Sequence, residues 1–286
     1  MSTLPPPKAV AEIGADLTPD GFAALRHAAK PVVIRGLVAD WPVVQAALDS
    51  DEAMVAHLLR GGSRRPVTAI AAPPRAEGRF FYAPDMQRLN FSSGQGRLET
   101  FLSDLLTARD MADAPALAVQ SQDLAELLPL VAEENRLSLL PDVRPRIWIG
   151  NRIRVAPHYD VKENIACCVA GRRRFTLFPP DQIANLYPGP FELTPAGTPV
   201  SMVDMHDPDL SLYPRFARAW EHAVQAALEP GDAIYIPYCW WHGVESLEPL
   251  SILINYWWNE GEPEGIGSPY EAVSYTHLTL PTKRIV

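Results

Sequence analysis

Residues 157–182 read "PHYDVKENIACCVAGRRRFTLFPPDQ", with two polar residues ahead of one apolar run and three arginines leading into another. His158 and Asp160 stand at i and i+2, which in extended chain puts both side chains on one face. Residues 164–170 and 173–178 then read as short strands parted by a glycine. The same texture runs outward from there. Further strands are expected at 146–152, 200–203, 223–228, 233–236 and 250–258, separated by Pro, Gly and Asp. Short strands with regular turn signals point to an all-β barrel or sandwich, here of jelly-roll type.

The N-terminal third differs. "LTPDGFAALRHAAK" offers Thr18 as a helix N-cap, Pro19 at the first helical position, and apolar residues at helical spacing. "PVVIRGLVADWP" predicts a short buried strand closed by Gly36 and a turn at Trp41-Pro42, and "SDEAMVAHLLRGG" a second helix capped by Ser50. The expected organisation is a mixed α/β part over residues 1–140, packed against a β core over 141–260. Residues 261–273 read as the start of a truncated C-terminal region. Residues 274–286, "SYTHLTLPTKRIV", continue no pattern before them and read as a non-native tail, so His277 is left out of the site.

Composition narrows the function classes. Proline, at 29 of 286 residues, is about double its usual share of roughly 5%, which favours loops and strands over a helical bundle. A net charge of -9 argues against sequence-independent nucleic-acid binding, which needs a positive surface. No apolar run reaches the length of a membrane span, and the N-terminus lacks the pattern of a secretion signal. The reading is a soluble cytoplasmic protein whose three cysteines are small core residues.

His-x-Asp alone is a weak signal. "GDAIYIPYCWWHGVES", residues 231–246, adds a turn, a strand and a proline break that deliver His242 to the start of another strand. Two histidines and a carboxylate on adjacent strands form the facial triad that suits non-haem Fe(II) oxygenases. In "RRRFTLF" Arg173 shares parity with Phe175 and Leu177, while Arg172, Arg174 and Thr176 form a face read as solvated. An arginine on an apolar face needs an anion. Beside Fe(II), the natural anion is the distal carboxylate of 2-oxoglutarate; the competing reading is a protein carboxylate. Asn255, inside the apolar "LSILINYWWNE", needs partners too, as does Asn164; each has a co-substrate carboxylate or neighbouring backbone open to it.

"HYD…N…GRRRFTLFPPDQ", "GDAIYIPYCWWHGVES" and "INYWWN", in that order, resemble the JmjC-type (cupin-like) 2-oxoglutarate oxygenases over roughly residues 141–260. "KPVVIRGLVADWP" matches the family's N-terminal strand. The closest pattern is that of the protein hydroxylases, including the asparaginyl hydroxylase of hypoxia-inducible factor. The resemblance implies a double-stranded β-helix of eight strands, with His158, Asp160 and His242 as iron ligands and Arg173 in place of a lysine that binds 2-oxoglutarate. It implies Asn164 and Asn255 beside the co-substrate and Trp257 as an aromatic wall. Val155 and Ala118 stand where relatives bring a threonine and a tyrosine to the co-substrate, so binding leans on Arg173. The implied activity is Fe(II)- and 2-oxoglutarate-dependent hydroxylation of a C–H bond, on a protein or peptide side chain ahead of a small molecule. Demethylation comes second to hydroxylation. Two other readings are a cupin metalloenzyme that does not use 2-oxoglutarate, with Glu163 as its extra acid, and a silent binding module. Relatives dimerise through helices beyond this region, so a homodimer is implied only for a chain that continues as they do.

Overall fold

The computed structural model describes residues 4–62 and 65–259. The expected C-terminal region and tail, 261–286, lie outside the described residues.

Eight strands from the second half build the barrel: β8 (Pro145–Gly150), β9 (Arg154–Tyr159), β10 (Glu163–Ala170), β11 (Arg173–Phe178), β12 (Val224–Leu228), β13 (Ala233–Ile236), β14 (Trp241–Ser246) and β15 (Ser251–Trp258). They divide four and four between two sheets, β13-β10-β15-β8 facing β12-β11-β14-β9, which is the expected jelly roll. Seven strands of the first half extend these sheets: β1 (Lys8–Ala9), β2 (Ala11–Ile13), β3 (Val32–Ile34), β4 (Val67–Ala72), β5 (Arg79–Phe80), β6 (Ser92–Gly96) and β7 (Ala116–Asp123). The larger sheet then runs β2-β3-β13-β10-β15-β8-β7-β4-β6 and the smaller β1-β12-β11-β14-β9-β5.

Helices α1 (Pro19–Ala28), α2 (Pro42–Asp49), α3 (Asp51–Leu59), α4 (Leu98–Arg109), α5 (Leu124–Leu127) and α6 (Pro129–Glu134) belong to the same half. Residues from these helices pack with Ile165, Cys167, Ile252, Ile254 and Tyr256 on one face of the larger sheet. The other face packs toward the smaller sheet, through Ala166, Cys168, Leu253, Phe175 and Leu177. β10 is covered on both sides, and all eight of its residues are buried. That double cover explains why "ENIACCVA" shows no apolar–polar alternation beyond its first two residues. Cys167 and Cys168 take opposite sides of it as core residues, and burial pushes both thiols up, Cys168 to about 12.

The helix caps follow the sequence: Thr18 Oγ1 accepts from Gly21 N at 3.1 Å, and Ser50 Oγ from Ala53 N at 3.0 Å. Three expectations fail. Trp41-Pro42 is no simple turn but the start of α2, Pro42 filling the first helical position, where no N–H is needed. Residues 200–203 form no strand and make one isolated bridge, Pro188 to Ser201. Thr176 is 2% exposed, because the outer face of β11 is covered there and Gln225 Nε2 donates to its hydroxyl at 2.9 Å. Arg172 and Arg174 are solvated as expected, paired at 2.7 Å with Glu248 and Glu245.

The β10–β11 turn holds the two strands that carry Asn164 and Arg173. Gly171 has φ +65° there, and a Cβ on it would stand 2.3 Å from the Leu250 carbonyl oxygen. Gly171→Ala is expected to cost at least about 2 kcal/mol. The check is the urea midpoint at unchanged slope; a midpoint equal to wild type would mean that the turn is not held this way.

Candidate active site

His158 on β9 lies directly opposite His242 on β14, and residues paired across an antiparallel ladder share a face. Their ring centroids are 4.4 Å apart. Asp160 follows β9, where its carbonyl accepts from Cys239 N at 3.0 Å, tying it to the turn that leads into β14. Cys239 adopts φ +60° in that turn. One ligand atom from each of the three side chains lies within 4.8 Å of the others.

The hydrogen bonds fix what those atoms present. His158 Nδ1 is 3.0 Å from the Ala156 carbonyl and His242 Nδ1 is 3.0 Å from the Trp240 carbonyl. A carbonyl only accepts, so each Nδ1 carries a proton, and in the neutral ring each Nε2 offers a lone pair. Asp160 Oδ2, 3.7 Å from His242 Nε2, is buried without a hydrogen-bond donor. Burial, and then the neighbouring His242, push His158 down to about 4, so its ring is neutral at neutral pH. With both rings neutral the three groups converge as acceptors, which is costly unless a cation compensates them. The donor set, two imidazoles and one carboxylate, fits a non-haem Fe(II) centre.

A cavity of about 540 Å³ opens from these three residues into the space between the sheets. Arg173, Asn164, Asn255 and Trp257 all line it, so every site residue expected from the sequence comes together. Arg173 is 4% exposed. Its Nε donates to Ser251 Oγ at 2.7 Å, and its Nη2 is buried without an acceptor. Among the described residues no carboxylate forms an ion pair with it, so the alternative of a protein counter-ion finds no support. Burial pushes its pKa down to about 10, which leaves it cationic near neutral pH. One cavity thus holds a hole for a cation and, on the strand beside β14, a hole for an anion.

Residues 19–263 match the family model described as a cupin-like domain. The chain belongs to the cupin-like domain family. It is 36% identical over 128 residues to lysine-specific demethylase JMJ31 of Arabidopsis thaliana, covering 43% of this chain and 23% of that protein. It is 38% identical over 115 residues to human HSPB1-associated protein 1, covering 39% and 22%. Zebrafish lysine-specific demethylase 8 is 36% identical over 120 residues, covering 41% and 28%. The matches thus span about a quarter of the length of these relatives.

In this cupin-like chain the two departures noted in the sequence, Val155 and Ala118, both line the cavity and leave its wall apolar. Asn255 Nδ2 donates to Asn164 Oδ1 at 2.8 Å, which leaves Asn255 Oδ1 buried without a donor. The asparagines therefore satisfy each other first, an outcome neither sequence alternative included. Trp257 stacks edge-on against Trp148, with centroids 5.7 Å apart. Trp240 and Trp241, beside His242 in the sequence, lie in the core. Trp240 packs between the sheets with its indole N–H on the Ala29 carbonyl, and Trp241 packs with Phe178. Glu163 is turned away from His158, Asp160 and His242 and accepts from Tyr235 Oη at 2.5 Å.

Several lining residues escaped the sequence reading: Gln120, Ser121, Trp148, Lys162 and the stretch 195–198. Trp148 had a usable signal, its parity within "RIWIG". Ser121 had none. Its φ of +51° arises at a register shift between β7 and β8, which only the pairing reveals.

Proposed function

We propose that the chain is an Fe(II)- and 2-oxoglutarate-dependent oxygenase that hydroxylates a C–H bond, most naturally on a protein or peptide side chain. The observation that carries this reading is the unpaired guanidinium of Arg173 in one cavity with the three convergent acceptors. His158, Asp160 and His242 would hold the iron; Arg173 would hold the distal carboxylate of 2-oxoglutarate through its free Nη2 while Ser251 fixes its Nε. When bound, iron and keto acid supply oxygen activation, in which O2, 2-oxoglutarate and a C–H bond give succinate, CO2 and C–OH. Val155, Phe175, Val244 and Leu253 exclude water from that space. The Asn164–Asn255 pair offers a free acceptor beside it, and Trp257 forms a wall.

Two of the relatives are named as demethylases, and loss of a methyl group begins with the same hydroxylation of C–H. Hydroxylation is proposed as the end point because "FPPDQ" and "IPYCWWHGVES" resemble the hydroxylase branch. A cupin chemistry without 2-oxoglutarate has little support, since Glu163 cannot join the three ligands and Arg173 would lack its anion. The test is succinate formation from 2-oxoglutarate with Fe(II) and a peptide pool. Succinate should require iron and disappear in Asp160→Ala; formation that survives this variant would reject the assignment.

A further inference from the structure

The mouth of the cavity carries positive charge that the protein does not neutralise. Among the described lining residues Asp160 is the only acid, while Lys162 joins Arg173 as a second cation. Lys162 is exposed in the bend between Asp160 and β10, and no described residue pairs with it. A third cation, Arg146, is not itself a lining residue but is hydrogen-bonded to one. Arg146 pairs with Asn255 across β8 and β15, so it lies on the cavity face of the sheet. Its Nε donates at 2.7 Å to the hydroxyl of Ser121, a lining residue. The rest of its guanidinium has no ion-pair partner among the described residues. The acid opposite it in register, Asp123, is already used: it pairs with Arg144 at 2.9 Å and caps α5 by accepting from Glu126 N at 3.0 Å.

Two more donors share that wall. Trp148 Nε1 and Trp257 Nε1 are both buried without an acceptor. On the oxygenase reading the charges of iron, Asp160, 2-oxoglutarate and Arg173 cancel, which leaves Lys162 and Arg146 as a surplus. A methylated lysine would bring another cation to a pocket with no acid to receive it, at low dielectric where like charges repel strongly. In a chain of net charge -9 this local excess of cations and donors is selective.

We propose that the substrate presents a carboxylate at this mouth, received by Lys162 and Arg146, and that the site does not accept a methylated lysine. This rests on the function proposed above and names its substrate class. Lys162 and Arg146 are specificity-determining residues, and Arg146 also positions Ser121.

The test is anaerobic calorimetric titration of protein loaded with Fe(II) and 2-oxoglutarate. The probes are blocked Ala-Ala-X-Ala-Ala peptides, with X as Glu, Gln or trimethyllysine, and free N-acetylglutamate. The Glu peptide should bind at least about tenfold tighter than the Gln peptide, and trimethyllysine should not bind. Lys162→Glu should remove the preference and Arg146→Gln should weaken it. Equal affinity for N-acetylglutamate would mark a small acid as the source of the carboxylate, and tighter binding of the peptide would mark a protein; either supports the proposal. Equal binding of Glu and Gln, binding of trimethyllysine, no binding by any probe, or a preference that survives Lys162→Glu would overturn it. The visible absorption of bound 2-oxoglutarate, recorded before each titration, separates the two readings. Its absence from wild type rejects the oxygenase, while its presence without a carboxylate preference rejects this inference alone.

Discussion

Arg173→Met is expected to weaken 2-oxoglutarate binding at least ~100-fold, a loss of about 3 kcal/mol, while the fold stays as stable as wild type or becomes more so. The two halves of that result come from one cause. A guanidinium that is 4% exposed, with Nη2 lacking an acceptor, is a cost to the folded protein until an anion arrives. Methionine, unbranched and apolar, fills the same space without that cost. Calorimetric titration measures the first half and urea unfolding the second. A large loss of stability together with unchanged binding would mean that Arg173 holds the barrel together instead of serving a ligand. Lysine at this position should recover part of the affinity, since it keeps the charge and loses the fork that suits a carboxylate.

His158→Ala and His242→Ala should each abolish stoichiometric metal binding. The imidazoles are held by the Ala156 and Trp240 carbonyls, so each Nε2 is fixed in place before metal arrives. In wild type, divalent metal at 100 times its Kd adds about 2.7 kcal/mol of stability, roughly 4–5 °C in Tm for a chain of this size. Neither variant should show that shift, although both should fold, because the two rings face a cavity instead of a packed core. Metal analysis after gel filtration and thermal melts with and without Mn(II) read the two effects. One metal per chain retained in His158→Ala would place the centre elsewhere.

Much of this site was legible because strand parity is a strict rule. Arg173, Phe175 and Leu177 face inward as alternation requires, and the i, i+2 spacing carries His158 and Asp160 to one side. His242 was legible from a turn, a strand and a proline break in sequence. What parity cannot supply is what lies across the sheet. Thr176 reads as solvated on its own strand, and Gln225 of β12 alters that. Asn164 and Asn255 each ask for a partner, and only the antiparallel register of β10 and β15 makes them partners of each other. Ser121 and the stretch 195–198 enter the cavity through a register shift and a long loop, which leave no periodic trace in the sequence. Helix α2 was missed because proline at a first helical position looks the same as proline in a turn.

The most direct measurement is the visible spectrum of the purified protein under anaerobic conditions, as Fe(II) and then 2-oxoglutarate are added. It requires no knowledge of the substrate. A charge-transfer band should appear only when both are present, saturate at one equivalent of each, and fail to form in Arg173→Met and His158→Ala. Iron bound at one equivalent with no band on adding 2-oxoglutarate would contradict the shared cation and anion site on which the proposed chemistry depends.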